Sequence, residues 1–139
     1  MAMDDIHNKI ADHLMHHDAF SKWLGIEVLE IKEGSCKLKM KIREEMTNGF
    51  YVSHGGIIFS LADSALAFAC NSRNNLSLAM ECNISFLKQV NVGDELTAEA
   101  QEIHNGKSTG VYLINVINQK NDQVALFKGT CFRTGKELI

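Results

Sequence analysis

The hydrophobic pattern changes period once along the N-terminal third of the chain, near Gly25. In residues 4–24, apolar side chains recur at roughly helical spacing with an interruption near His17 and Asp18, which predicts one broken helix or two short helices. After Gly25, apolar residues and lysines alternate over residues 36–42, as in a half-buried strand. The less regular run IEVLEIKE before it predicts another strand, joined to the first through Gly34.

The segment GGIIFSLADSALAFACN, Gly55–Asn71, is apolar nearly all the way round. Such a pattern predicts a helix that is buried on most sides. Residues 43–54, which precede it, show no period and predict an ordered loop. Loops of this length are often functional.

Four strand-like runs follow, LSLAMECNISFL, ELTAEAQEI, STGVYLINVIN and VALFKGTCF. Asn105-Gly106 between the second and third predicts a hairpin, because both residues accept a positive φ. The order of elements predicts one α+β domain over residues 1–139, in which an antiparallel sheet of about six strands curls round a long central helix. The helical residues 1–24 would form an N-terminal cap.

Composition narrows the class of protein. The 139 residues are 45% hydrophobic and 22% charged with a net charge of -3, which is typical of a globular protein and disfavours nucleic acid as the partner. We find neither an apolar run long enough to span a membrane nor a signal peptide, so we expect a cytoplasmic protein. The four cysteines form no CxxC pair and are interpreted as reduced core residues.

One carboxylate lies in the apolar central helix. The only polar residues of this helix share one face, at spacings of three and four, in the stripe formed by Ser60, Asp63, Ser64, Ala67 and Asn71. Burial would raise the pKa of Asp63 toward the range useful to a base. Alternatively, Asp63 bonds a nearby backbone group or caps a loop, and the residues alone support both interpretations equally.

His54-Gly55-Gly56 immediately precedes the same helix, where free N–H groups and the positive end of the helix dipole favour an oxyanion. Two glycines would let a ligand approach the backbone, although a turn without any ligand is common. Gly55 and Asp63 are eight residues apart, roughly 12 Å along a straight helix, which is too far for one carbonyl. Two copies with antiparallel central helices would bring them together in two equivalent sites.

These residues resemble a known family. The stretch NGFYVSHGGIIFSLADSALAFACNSRN, followed by NISFLKQVNVGDELTAEA, is similar to the hotdog-fold thioesterases of the phenylacetic acid degradation group, over about residues 25–132. The resemblance implies a sheet wrapped round a central helix, dimers or tetramers, and hydrolysis of acyl-CoA thioesters. It implies no metal and no redox cofactor, and CoA would enter only as part of the substrate.

The resemblance also implies roles for individual residues. Asp63 would be the general base or the nucleophile, and the Gly55 N–H would polarise the thioester carbonyl. Asn48 would orient water or the thioester, in a site whose Asp63 belongs to the partner chain. His54 and Gly56 would bind substrate. The sequence departs from the family in two places, with Gln89 where proline is frequent and Ala79 where some relatives have a serine.

Other functions remain as alternatives. One is a non-catalytic acyl-CoA-binding module, and another is a hotdog dehydratase, in which an acidic residue would work with a histidine. Of the cations, Arg73, Lys88, Lys107 and Arg133 are candidates for the CoA phosphates, with surface positions as the simpler interpretation.

Three further groups of side chains have simpler explanations. The histidines at 7, 13, 16, 17 and 104 lack an HExxH motif and are interpreted as solvated rather than metal-bound. No histidine accompanies Cys70 or Cys82 as a nucleophile. The resemblance favours phenylacetyl or hydroxylated aryl-acetyl groups as the acyl group, with medium-chain fatty acyl groups next. Four aromatic residues could line the acyl pocket, although core packing is the simpler interpretation: Phe50, Tyr51, Phe59 and Phe68.

Overall fold

The computed structural model describes residues 5–139. Three α-helices, a short 3₁₀ turn and six strands follow one another along the chain. They are α1 (Asp5–His17), α2 (Ala19–Leu24), β1 (Glu27–Lys32), β2 (Ser35–Lys41), the 3₁₀ turn (Glu44–Met46), α3 (Gly55–Asn71), β3 (Asn75–Phe86), β4 (Glu95–Asn105), β5 (Thr109–Ile117) and β6 (Gln123–Glu137). All six predicted strands and the predicted central helix are confirmed.

The strands form one antiparallel sheet in the order β1-β2-β4-β5-β6-β3. The sheet wraps round α3, which contacts every strand. On β2 the alternation holds as predicted, with Cys36, Leu38 and Met40 buried against the helix and Lys37 exposed. The architecture is therefore the α+β hotdog arrangement that the resemblance implied.

The helix and the sheet make close contact at Gly129 of β6. A Cβ built there would lie 2.5 Å from Cδ2 of Leu66, whose side chain is buried. Core residues of α3 such as Leu61 and Phe68 are fully buried, which confirms the prediction that this helix forms the centre of the molecule. In residues 5–139, no helix is both long and apolar enough to cross a membrane.

The N-terminal cap consists of two short helices, one of the two forms that the sequence predicts. Asp18 begins α2, because its carboxylate accepts a hydrogen bond from the Ser21 N–H at 2.9 Å. The break near His17 and Asp18 is therefore a true helix boundary.

The hairpin between β4 and β5 forms, but not by the predicted turn. The two strands pair from Asn105 and Gly110 onward, and the Gly106 N–H donates to the Thr109 carbonyl. Neither Asn105 nor Gly106 has a positive φ. The loop of residues 106–108 is longer than a two-residue turn, so the left-handed conformation that favours Asn-Gly is not required.

Candidate active site

Helix α3 runs antiparallel along β3, the last strand of the sheet. At one end of the helix, a Cβ built on Gly55 would lie 3.0 Å from the Phe86 ring. At the other end, the Asn71 side chain donates to the Ser77 carbonyl at 3.1 Å and accepts from the Ser77 N–H at 2.9 Å. Asp63 lies between, where its charge acts on the β3 thiol of Cys82. The catalytic candidates of α3 therefore follow the open edge of the sheet.

The carboxylate of Asp63 is partly buried, and no donor within residues 5–139 forms a hydrogen bond with it. Burial raises its pKa above the ordinary aspartate value, and the negative charge of Asp18 raises it further. The alternative interpretation, in which Asp63 bonds a backbone group, finds no such bond in the described part of the chain. A partly buried carboxylate without a donor is suited to proton transfer or nucleophilic attack.

The start of α3 leaves one amide available. The Gly56 N–H donates to Nδ1 of His54 at 2.8 Å, so His54 is the N-cap of the helix. Because Nδ1 accepts this bond, the proton of a neutral His54 resides on Nε2. The Gly55 N–H has no acceptor among the described residues, and it lies at the positive end of the helix dipole. Gly55 is therefore the free donor, whereas the Gly56 amide is already paired.

Asn48 builds the loop in front of α3. Its Oδ1 accepts hydrogen bonds from the N–H groups of Phe50 at 2.8 Å and Val52 at 3.4 Å, and its own N–H donates to the Val52 carbonyl. The Nδ2 group of Asn48 has no acceptor within residues 5–139. Asn48 thus shapes a turn with one end of its amide and leaves the other end available as a donor. Sequence reasoning had found the residue but not this turn.

The four aromatic residues near the helix do not form a pocket. Phe68 is fully buried, and Phe59 packs edge-on against Phe127 with ring centroids 5.1 Å apart. Phe50 and Tyr51 are instead at the tip of the loop, 85% and 86% exposed. The interpretation in which these four side chains together line an acyl pocket is therefore wrong for the single chain.

Two cavities flank the N-terminus of α3. One of about 400 Å³ borders Gly55 and is lined by Phe86 and Lys88, among others. A second, of about 220 Å³, borders His54 and Ser60. A depression of about 450 Å³ lies on the outer face of the sheet, but it contains none of the candidate residues. Gly55 therefore lines a cavity large enough for part of a thioester substrate.

The structure reduces the set of cations available to CoA phosphates. Arg133 is only 5% exposed and bonds the Tyr112 hydroxyl at 2.9 Å, so it cannot reach a surface phosphate. Arg73 makes a bidentate pair with Glu102. Lys88 forms a surface salt bridge with Asp122, and Lys107 is exposed. The two lysines are the candidates that remain.

Within residues 5–139, no metal-ligating cluster is present and most of the cysteines are buried. Over residues 5–139, no group of three or more His, Cys, Asp or Glu side chains is placed to hold a metal ion. Three of the four cysteines are buried free thiols, in agreement with their interpretation as core residues: Cys36, Cys70 and Cys131. Within one chain, His54 at the start of α3 is too far from Asp63, which lies eight residues beyond Gly55, to form the acid–histidine pair of a dehydratase.

Comparison with known proteins agrees with this fold and identifies related chains. Residues 51–125 match the thioesterase superfamily. The chain is 46% identical over 124 residues to the acyl-coenzyme A thioesterase PaaI of Escherichia coli K12, covering 88% of this chain and 89% of that one. The solved structure of E. coli PaaI, from the phenylacetic acid degradation operon, superposes with a TM-score of 0.94 at 41% identity, covering 98% and 99% of the two chains. A Streptococcus mutans protein solved with bound acetyl-CoA has a TM-score of 0.78 at 27% identity, covering 81% and 90%.

Proposed function

Because the chain belongs to the thioesterase superfamily, we propose that it hydrolyses acyl-CoA thioesters to the free acid and coenzyme A, with Asp63, Gly55 and Asn48 as its catalytic residues. The observation that carries this assignment is the pair of unsatisfied groups on α3. Among the described residues, the Asp63 carboxylate has no donor and the Gly55 N–H has no acceptor. One is suited to activate water and the other to stabilise an oxyanion.

In the proposed reaction, Asp63 accepts a proton from water as the water oxygen attacks the thioester carbonyl carbon. The carbonyl oxygen becomes an oxyanion that accepts a hydrogen bond from the Gly55 N–H, and Nδ2 of Asn48 orients the water or the thioester. Collapse of the tetrahedral intermediate breaks the carbon–sulfur bond, and the proton on Asp63 passes to the departing CoA thiolate. Water is the only co-reactant, so the proposal includes no metal and no redox cofactor.

Direct attack by Asp63 is the other route compatible with this site. It would form an anhydride between the Asp63 carboxyl and the acyl group, which water then hydrolyses. A single turnover in ¹⁸O-water followed by a rapid acid quench tests the anhydride route. Label in the Asp63 side chain requires the anhydride, whereas label confined to the released acid is given by a general base and also by attack of water on the acyl carbon of an anhydride. Mass spectrometry of the quenched chain separates these two, since only the anhydride adds the mass of the acyl group.

The catalytic unit in this proposal is a dimer joined along β3. This strand is at the end of the sheet, and its residues Leu78 and Met80 are each 60% exposed, which is typical of an edge that pairs with another chain. A twofold axis between two β3 strands would also set two α3 helices side by side and antiparallel. Gly55 and Asn48 of one chain would then meet Asp63 of the other. Tetramers would join two such dimers.

For the acyl group we propose aryl-acetyl, and phenylacetyl first, since the E. coli relative is encoded in the phenylacetic acid degradation operon. The Gly56 N–H and Nδ1 of His54 are hydrogen-bonded to each other, so the proposed chemistry does not use them. Their proposed role is to contact the substrate in the flanking cavity. Buried free thiols fit a reducing compartment, and the proposal places the enzyme in the cytoplasm.

The test is release of free CoA thiol from a panel of acyl-CoAs, with phenylacetyl-CoA and medium-chain fatty acyl-CoAs included. We expect Asp63→Ala to lower kcat by about a hundredfold or more while the oligomer stays folded. Asp12→Ala, which removes an exposed carboxylate from α1, is the matched control and should retain wild-type turnover. Near-normal turnover by Asp63→Ala would refute the assignment, and inactivity of the wild-type chain on every thioester would refute the function.

A further inference from the structure

The cap and the catalytic helix are joined by a short chain of hydroxyl groups. The Ser21 hydroxyl of α2 donates to Oδ2 of Asp18 at 2.5 Å, and the Ser21 and Ser64 oxygens are 2.8 Å apart. Ser21 is 1% exposed and Ser64 is 8% exposed, so water does not compete for these bonds. Ser64 is the residue next to Asp63 on α3. A side chain of the cap therefore reaches the immediate neighbourhood of the proposed base.

The chemistry of the groups fixes the direction of this chain. A serine hydroxyl has one proton to donate, and the Ser21 proton is given to the Asp18 carboxylate, which can only accept. The proton between the two serines must consequently come from Ser64. Ser64 is thereby turned toward Ser21 and cannot donate to Asp63, its neighbour on the helix.

The negative charge of Asp18 also reaches Asp63. Besides burial, this charge is the second cause that raises the pKa of Asp63. The other ionisable group coupled to Asp63 within residues 5–139 is the Cys82 thiol of β3, whose pKa is raised to about 11, so it is neutral at physiological pH. Helix α3 itself has no other charged residue. Asp18 is thus the one charged group of the described chain that acts on the proposed base.

We propose that Asp18 is a positioning residue of the thioesterase reaction, which acts through Ser21 and Ser64 to keep the Asp63 carboxylate free of protein donors and available as a base. This inference rests on the proposed function of Asp63. It adds a task to the N-terminal cap, which lies outside residues 51–125 that match the superfamily.

The informative variant is Asp18→Asn. Asparagine can still accept the Ser21 N–H bond that begins α2, so the cap should fold. Its amide group, however, is neutral and can donate to the Ser21 hydroxyl, which would reverse the chain and release the Ser64 proton for another acceptor, such as the Asp63 carboxylate. Both changes favour ionised Asp63. We expect the acidic limb of the kcat/KM profile to move to lower pH, with a lower plateau because the base is weaker.

Two matched variants separate this effect from simpler ones. Asp12→Asn removes the same charge from an exposed position on α1 and should leave the pH profile unchanged. Ser21→Ala keeps both carboxylates and the backbone bond of the cap but removes the hydroxyl relay. It should move the limb in the same direction as Asp18→Asn, by a smaller amount, and it tests the relay even if Asp18→Asn fails to fold.

A ¹³C NMR titration of the Asp63 carboxyl, assigned by its loss in Asp63→Asn, provides a readout independent of turnover. We expect a lower Asp63 pKa in Asp18→Asn than in the wild type and no change in Asp12→Asn. Equal titration curves and equal acidic limbs in wild type and folded Asp18→Asn would overturn the inference. Wild-type chains without thioesterase activity would instead overturn the proposed function, and the titration would still test the link between Asp18 and Asp63.

Discussion

At the scale of single residues, Asp63 is placed where its charge opposes folding. Burial and Asp18 both favour the protonated form in the folded state, so the folded pKa of Asp63 lies above its unfolded value. The contribution of such a group to the free energy of unfolding is fully present at pH values below its unfolded pKa. It is lost as the pH rises through the folded pKa. Ionised Asp63 therefore lowers the stability of the protein at neutral pH.

This cost leads to a prediction for Asp63→Asn. The variant should unfold at a higher temperature than the wild type at neutral pH, although its turnover is much lower. The difference in Tm should shrink as the pH falls below the aspartate range, where the wild-type carboxyl is protonated in both states. Thermal unfolding followed by circular dichroism between pH 3 and pH 8 measures it. An equal or lower Tm for Asp63→Asn at neutral pH would contradict a raised pKa.

Asn48 allows the two ends of one side chain to be tested separately. Asn48→Asp keeps an oxygen for the Phe50 and Val52 amides but replaces the free Nδ2 donor with a second, anionic oxygen. We expect an unchanged Tm and a kcat lower by about tenfold or more, since a donor at the reacting group is lost. Asn48→Ala should lower both. If Asn48→Asp retains full turnover, the role of Asn48 is confined to the turn.

The sequence reveals these residues unequally. Asp63 is evident because it is the one carboxylate in an apolar helix. Gly55 is evident because it is the first residue of that helix. The turn built by Asn48 and the bond between Ser21 and Ser64 are not evident, since each depends on backbone or tertiary geometry. Periodicity identifies which face of a helix is polar, but not which distant hydroxyl will lie 2.8 Å away.

At the scale of elements, a partly buried ionic cluster joins β4, β5 and β6 to the end of α3. Glu102 of β4 accepts hydrogen bonds from Arg73 at 2.8 and 3.0 Å and from the Tyr112 hydroxyl at 2.6 Å, and it lies 3.5 Å from the Arg133 guanidinium. The bond from Arg73 is the main cause that lowers the pKa of Glu102, despite the opposing effect of burial. This cluster explains why Arg73 and Arg133 are not available to a ligand.

Glu102→Gln tests the contribution of the cluster. Because the folded pKa of Glu102 is lowered, its contribution to stability is present above the unfolded pKa and is lost as the pH falls through the folded pKa. We expect the free energy of unfolding of the variant to be lower by about 1–3 kcal/mol at neutral pH, and the difference to diminish in acid. Urea unfolding at both pH values measures this. A difference independent of pH would show that the charge of Glu102 is not responsible.

Element type was predictable because each element has its own period. Strict alternation in β2 and all-round apolarity in α3 leave no competing assignment. The cluster of Glu102 with Arg73 and Arg133 was not predictable, because its members come from separate elements and look like surface charges in the sequence. The same limit applies to the turn after Asn105, whose length is set by the pairing of β4 with β5 and not by the Asn-Gly pair.

At the scale of the whole molecule, the proposed function assigns each chain the parts of two half-sites. Gly55 lies against Phe86 and Asp63 is coupled to Cys82, so the separation of roughly 12 Å along α3 is matched by four residues, roughly 13 Å, along β3. A twofold axis crossing β3 midway, near Ile84, would therefore place the Gly55 end of each chain opposite Asp63 of its partner. The spacing along helix and strand is thus consistent with sites shared between two chains.

Mixing two variants of lowered turnover tests this sharing directly. In a mixed dimer of Asp63→Ala and Asn48→Ala chains, a site shared across the interface is intact once, and the other site lacks both residues. After complete random exchange, half of the dimers are mixed, so we expect recovery of about a quarter of the wild-type activity per chain. Mixing Asp63→Ala with the double variant Asp63→Ala/Asn48→Ala should recover none. If Asp63 and Asn48 served one site within a chain, every mixed dimer would stay inactive, so absence of recovery after exchange verified by native mass spectrometry would exclude the shared site.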